Sequence, residues 1–339
     1  MKEPVVISTY SGMAQPMISV VLPVYNGGGY LKQSLESVLN QNFSQFELLI
    51  IDDCSTDGSL AYLQSIQDPR VSLFKNEDNR GLFFNLNFLI SQSKSPLIKL
   101  WAQDDIMYPQ CLNSFVAFHK QYPVIGFSYS GRDMINEEGV VKENNVMDNT
   151  PTIISTELHA KIAYYTGSIA GNIANVCINK KALDKVGLFN EGMKISADFD
   201  MWVRLAKEHE TGFIREKLIQ LRDHDKQLSR NEKYYLDHVK EDLVVYHYLD
   251  SYVSAEQRKL GHKQLRKRKL VFYYTLMVKC FLKGEYPVAY QYYRTLSKHD
   301  NLLILTIIFL KVKLGGLVKR GKINNEQLQE EIENHSQGN

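Results

Sequence analysis

Two pairs of adjacent aspartates, Asp52-Asp53 and Asp104-Asp105, each follow an apolar run, Phe46 to Ile51 and Leu97 to Trp101. Neighbouring carboxylates at a strand end repel one another unless positive charge is near, and a hard divalent cation holding a diphosphate would supply it. Aspartate is also a favoured turn residue, so each pair taken alone reads equally well as a turn. A third polar turn, Pro23-Val24-Tyr25-Asn26, closes the apolar stretch from Ile18, and Gln103 stands immediately before the second pair.

The elements around these turns follow one grammar. Ile18 to Val24, Phe46 to Ile51, Val71 to Phe74 and Leu97 to Trp101 are short apolar runs of strand length. Leu31 to Leu39, Leu60 to Ile66 and Phe83 to Ile90 carry apolar residues at helical spacing. Strands alternating with helices predict a mostly parallel sheet, whose ligands bind outside the carboxyl ends of the strands. The three polar turns are therefore expected to converge. After a helix at Cys111 to His119 the winding becomes irregular. Val124 to Tyr129 and Ile173 to Ile178 read as strands, Phe199 to Glu208 as a helix, and Gly212 to Ile214 and Leu218 to Leu221 as two further strands. Asp198, just ahead of an amphipathic run, reads from position alone as a helix cap.

Composition narrows the classes. The chain has 339 residues, 40 Lys and Arg against 38 Asp and Glu, and 44% hydrophobic residues. That size suits one large α/β domain with an appendage, and the near-neutral balance gives no support to a nucleic-acid partner. The four cysteines make no Cys-x-x-Cys spacing, which argues against a zinc site or a disulfide framework and fits a reducing cytoplasm. Gly27-Gly28-Gly29 matches neither common phosphate-loop pattern and reads as a permissive turn. No apolar stretch approaches the roughly 20 residues needed to cross a bilayer, Leu302 to Leu310 being much too short.

Taken jointly, Ser19-Val20-Val21-Leu22-Pro23-Val24-Tyr25-Asn26, the stretch Leu35 to Asn42, Phe46 to Ser59 with its Asp52-Asp53-Cys54-Ser55-Thr56-Asp57-Gly58, Asn79-Arg80-Gly81, and Asp104-Asp105-Ile106 through Pro109 closely resemble family 2 glycosyltransferases of bacterial polysaccharide type. The resemblance runs from about Met17 to Ser229. It implies a GT-A fold, a Rossmann-like, mostly parallel mixed sheet flanked by helices. It also implies an inverting transfer from a nucleotide-diphospho-sugar, with UDP-sugar the expected donor, to a glycan or lipid-linked glycan. Carried over by residue, the backbone at Pro23, Val24 and Tyr25 would line the nucleotide, with Asn26 and Asp52 beside it. Asp53 would bond the base, and Arg80 and Gln103 would approach the donor. Asp104 would bind Mn²⁺ or Mg²⁺, joined by His224, with Asp105 and Arg222 in support. Ser196-Ala197-Asp198-Phe199-Asp200 resembles the segment that carries the general base, which makes Asp198 the base in rivalry with the cap reading.

Two departures thin the pattern: Ala102 stands where an earlier carboxylate often precedes the metal aspartate, and Ala197 where a glutamate is frequent. They keep a non-catalytic binding subunit of a polysaccharide assembly system in view as an alternative. A sugar nucleotidylyltransferase, the other rival, should carry a basic glycine-rich loop after the first strand. The expected organisation is a polar leader at 1–15, the GT-A domain at 16–230, a helical region at 231–322 and a disordered tail at 323–339. In the helical region, Arg266-Lys267-Arg268-Lys269 ahead of apolar Leu270 to Leu282, and Leu302 to Leu310 ahead of Lys311, Lys313, Lys319, Arg320 and Lys322, fit either a membrane surface on the cytoplasmic side or a basic rim on packed helices.

Overall fold

The computed structural model describes residues 3–11, 15–142, 150–225, 227–228 and 231–315. The chain divides into two compact units, one of residues 1–156 with 170–230 and the other of residues 157–169 with 231–339.

The first unit is built on a ten-stranded mixed sheet. In chain order its elements are β1 (Val5–Ser8), β2 (Ile18–Val24), α1 (Leu31–Leu39), β3 (Phe46–Asp52), α2 (Ser59–Gln64), β4 (Val71–Lys75), α3 (Leu82–Gln92), β5 (Leu97–Leu100), β6 (Ile106–Met107), α4 (Cys111–Gln121), β7 (Phe127–Ile135) and β8 (Ile153–Ile154). The second unit takes most of α5 (Thr156–Thr166). The first resumes with β9 (Val176–Asn179), α6 (Leu183–Val186), α7 (Ala197–Glu208) and β10 (Thr211–Arg222).

The strand order is β1-β4-β3-β2-β5-β9-β7-β10-β6, with β8 on β10. β4, β3, β2 and β5 run parallel, whereas β9 lies antiparallel between β5 and β7. Strands buried on both faces should be apolar almost throughout, and β2 and β3 are. Alternate β2 residues Ile18, Val20, Leu22 and Val24 join Leu31, Leu35 and Val38 of α1 in the core.

Three features differ from the sequence reading. The supposed polar leader holds β1, an edge strand antiparallel to β4, with Val5, Val6 and Ile7 exposed. The two short strands expected at 212–214 and 218–221 are one, β10, because Arg215 and Glu216 bulge out of register with β7 and turn their charges to solvent. The domain expected to run unbroken over 16–230 gives up residues 157–169 to the helical unit. The tail expected at 323–339 lies outside the described residues.

The second unit adds α8 (Tyr235–Leu249), α9 (Ala255–Leu265), α10 (Val271–Leu282), α11 (Tyr286–Ser297) and α12 (Leu302–Gly315). Asp242 of α8 is buried and held by Lys269 and the hydroxyl of Tyr273, while Tyr164 of α5 donates to Asp250. Among the described residues, no helix is long and apolar enough to cross a membrane.

The β10 bulge needs a glycine opposite it. A Cβ on Gly131 would stand 2.7 Å from the backbone oxygen of Arg215 and 3.0 Å from that of Glu216. Gly131→Ala is expected to lower unfolding free energy by about 1–3 kcal/mol. Gly29→Ala, which meets nothing within 4 Å, should stay within about 0.5 kcal/mol of the parent. Urea denaturation of both variants checks the contrast.

Candidate active site

The carboxyl ends of β2, β3 and β5 are laced together by side chains rather than by sheet bonds. At the end of β2, Gln103 grips Tyr25 from both sides: the Tyr25 N–H donates to Gln103 Oε1 at 2.9 Å, and Gln103 Nε2 donates to the Tyr25 carbonyl at 3.0 Å. Asn26 has φ of 49°, which asparagine tolerates through its short polar side chain. That turn lets its N–H donate to Ser55 Oγ while its Oδ1 accepts from Thr56 N–H at 2.8 Å. Gly27 and Gly28 N–H groups donate to Ser59 Oγ and Asp57 Oδ2. The loops after β2 and β3 thus form one surface.

The two β3 aspartates have different hydrogen-bond partners. Asp53 is buried, and its carboxylate is committed inside the protein. Oδ1 accepts from Asn76 Nδ2 and Arg80 N–H, both at 2.7 Å, and Oδ2 accepts from Gly81 N–H at 2.9 Å. It ties the loop before α3 to the sheet. Asp52 is buried as well. Its Oδ2 accepts from Ser55 N–H at 3.1 Å, an aspartate turn, but its Oδ1 has no partner. Arg80 lays its guanidinium 3.7 Å from the centre of the Phe84 ring.

At the end of β5, Trp101 Nε1 donates to Ser34 Oγ, which donates in turn to the Ala102 carbonyl, so α1 sets the height of the following loop. Asp104 Oδ2 stands 2.8 Å from His224 Nε2. His224 is buried against the Tyr30 ring, and its Nδ1 lacks a partner. Burial drives the Asp105 carboxyl well above the usual carboxylate range, with the charge of Asp104 adding to the shift. The Arg222 N–H donates to Asp105 Oδ1 at 2.9 Å. The buried Arg222 guanidinium donates to the backbone oxygens of Asp104, Asn136 and Glu137 and to Gln33 Oε1, and it lies 4.5 Å from the centre of the Tyr30 ring. Every arm of Arg222 is occupied, so it holds the loop and is not offered to a ligand.

Asp104 and His224 fit a divalent ion, though sparely. Cis ligands of an octahedral ion with bonds near 2.1 Å lie about 3 Å apart, close to the separation observed here. Among the described residues no group of three His, Cys, Asp or Glu converges on one point. A cation would therefore draw its remaining ligands from elsewhere.

Asp198 occupies the first turn of α7, half-buried, with Oδ1 accepting from Phe199 N–H at 2.7 Å. The N-cap is Ser196, so Asp198 is not the cap that its position suggested. Asp200 is consumed by Arg204. Pro23 and Val24 end β2. Both are strand residues within the sheet, the Val24 carbonyl accepts from Asp53 N–H, and Val24 is fully buried. What this end presents outward is Tyr25, 48% exposed, and Asn26. Gln103 braces Tyr25 with one N–H and its carbonyl oxygen. Residues that sequence reasoning passed over are Tyr30, Gln33 and Asn76. Asn76 follows β4 as the aspartate pairs follow β3 and β5, and that shared position was its signal.

The profile of glycosyl transferase family 2 matches residues 19–179. Those residues are a family 2 glycosyl transferase domain. An uncharacterised glycosyltransferase of Rickettsia felis is 27% identical over 221 residues, 63% of this chain but 35% of that protein, so the chain spans about a third of that relative. The putative colanic acid biosynthesis glycosyl transferase WcaA of Escherichia coli is 26% identical over 57% of this chain and 67% of its own. Among solved structures, Staphylococcus aureus TarS 1–349 in complex with UDP-GlcNAc aligns with TM-score 0.57 and 18% identity, covering 73% of this chain and 72% of that one. The mannosyltransferase PcManGT of Pyrobaculum calidifontis, in complex with GDP-Man and Mn²⁺, aligns with TM-score 0.52 and 12% identity over 89% of this chain and 81% of that one. Both give the transferase domain its fold class, a mixed α/β sheet of GT-A type. Asp198, Arg222 and His224 lie beyond the matched residues.

The committed carboxylate of Asp53 makes a stability prediction. Asp53→Asn keeps the volume but turns an amide NH₂ toward one of three N–H donors, and should cost about 2–4 kcal/mol in urea unfolding. Asp52→Asn, with one accepted bond, should cost less than half as much.

Proposed function

We propose that this domain transfers a sugar, with inversion, from a nucleotide-diphospho-sugar to a hydroxyl of a glycan or lipid-linked glycan. The observation that carries the reading is the Asp104–His224 pair, joined through Arg222 and Gln103 to the β2 and β3 loops at the carboxyl edge of a family 2 domain. The TarS complex supports UDP-sugar as the donor, and the relative named for colanic acid biosynthesis supports a polysaccharide acceptor. Four free cysteines are consistent with work on the cytoplasmic side, where a lipid-linked acceptor would meet it at the inner membrane face.

In this reading the nucleotide lies over Tyr25 and Asn26, with its base toward Asp53, whose Oδ2 accepts, among the described residues, only the Gly81 N–H. Arg80, anchored on Phe84, faces the diphosphate. Asp104 and His224 hold Mn²⁺ or Mg²⁺, by analogy with the PcManGT complex. When bound, the cation stabilises charge on the departing nucleoside diphosphate. Asp198 removes the proton of the acceptor hydroxyl as its oxygen attacks the anomeric carbon. The new C–O bond forms on the face opposite the bond to phosphate, which breaks with its electrons going to the nucleoside diphosphate.

Ala102 and Ala197 favour one rival, a non-catalytic binding subunit. Turnover separates the two. Asp198→Asn should cut kcat by roughly 10²–10⁴ while donor affinity survives, and Asp104→Ala should weaken donor binding in the presence of Mn²⁺. Equal activity in both variants would overturn the mechanism.

The sparse ligand set also predicts order of binding. Calorimetric titration should find Mn²⁺ weak without donor and clearly tighter once UDP is present, with His224→Ala removing most of that gain. Tight Mn²⁺ binding to the protein alone would contradict the assignment.

A further inference from the structure

A helix on a protein surface should turn polar residues outward. α12 does not. Leu305 is fully buried and Thr306 bonds to the hydroxyl of Tyr274, so this side faces α10. On the side away from Leu305, Leu303, Ile304, Ile307 and Leu310 are exposed by 68%, 37%, 46% and 48%. Their spacing puts them on one stripe of the helix. The stripe runs into exposed Lys311 and Lys313, with Val312 also exposed at the end of the helix. The turn between α10 and α11 repeats the mixture, with Phe281 and Leu282 exposed between Lys279 and Lys283. Tyr286, Tyr290 and Tyr293, also exposed, make a stripe of their own along α11.

We infer that the α12 stripe, with its flanking lysines, docks in the headgroup region of an anionic lipid bilayer. Charge complementarity selects this occupant over a second copy of the chain. Lysine is depleted from the cores of protein interfaces, and two such stripes face to face would oppose like charges. Exposed apolar and tyrosine side chains edged by lysine are what an anionic membrane interface takes up. From Asn231 to Gly315 basic side chains outnumber acidic ones, and Lys319, Arg320 and Lys322 follow in the sequence. At 14 residues α12 is about 21 Å long, short of the roughly 30 Å hydrocarbon core, so it lies in the interface and does not cross it. The surface stands independently of the transfer chemistry and is assayed without donor.

The test is co-sedimentation of the full chain with vesicles of phosphatidylcholine alone or with one third phosphatidylglycerol. Binding is expected to the anionic vesicles and to fall with salt. Leu303→Ser/Ile307→Ser/Leu310→Ser should abolish it, and Lys311→Glu/Lys313→Glu should weaken it by roughly tenfold or more. Thermal melting checks that both variants stay folded, as substitutions at exposed positions should. Two outcomes overturn the proposal: absence of binding by the folded parent, or binding that the serine variant leaves unchanged. Sedimentation velocity covers the other occupant: a parent dimer that the serine variant makes monomeric, without vesicle binding, assigns the stripe to a second copy.

Discussion

Much of the transferase domain's edge rests on one buried cation. Arg222 ends β10 almost fully out of water, yet no carboxylate pairs with its guanidinium in the contacts described. Its charge is spread over three backbone oxygens, one amide oxygen and the face of Tyr30. Removing an ion from water costs several kcal/mol unless its donors are satisfied, so the groups around it are constrained to stay where they are. Those groups come from α1, from the loop carrying Asp104 and Asp105, and from the turn after β7. Because His224 follows two residues later, the same anchor sets the separation between His224 and Asp104.

The arrangement explains why neighbouring aspartates differ so much in character. Asp105 lies inside the anchor, where burial and the adjacent charge of Asp104 favour its protonated form. Asp104, one residue earlier, keeps a side chain 22% exposed toward the edge. The β3 pair is divided in the same way by environment. Asp53 is drawn in by Asn76 and two backbone N–H groups, while Asp52 keeps an oxygen with nothing to accept. Of the four carboxylates, Asp104 keeps a partly exposed side chain, whereas Asp52, Asp53 and Asp105 are buried.

Much of this was legible in the sequence because apolar periodicity and parallel winding are tightly linked. The runs at 18–24, 46–51 and 97–101 contain parallel strands buried on both faces, which favours apolar residues at most positions, with Ser19, Glu47 and Lys99 the buried exceptions. β1 escaped notice because an edge strand needs only one partner and leaves Val5 to Ile7 exposed, so its sequence shows no core signature. β10 was read as two strands because Arg215 and Glu216 interrupt the alternation, and only the partner Gly131 shows that the interruption is a bulge. At the site, residue type announced which side chains could bind but not which were already taken. Asp53 and Gln103 look like ligands in sequence, and in the fold they also brace Arg80, Gly81 and Tyr25. That distinction depends on loops folding back from 25 to 80 residues away, which no local pattern records.

Ala102 takes its meaning from the same accounting. A second carboxylate at that position would bring another negative charge toward Asp104 and the buried Asp105, at an edge where Arg222 is already fully engaged by neutral oxygens. Without it, the site is spared a further charge beside Asp105, whose carboxyl is already pushed up by burial and by Asp104, and the imidazole of His224 shares the Asp104 carboxylate across a single 2.8 Å contact. In the proposed function such an edge would have little intrinsic pull on a cation. The negative charge needed to recruit the metal would then come chiefly from the diphosphate of the donor. Metal and donor would arrive as partners in one binding event, and a short ligand set is what allows that coupling.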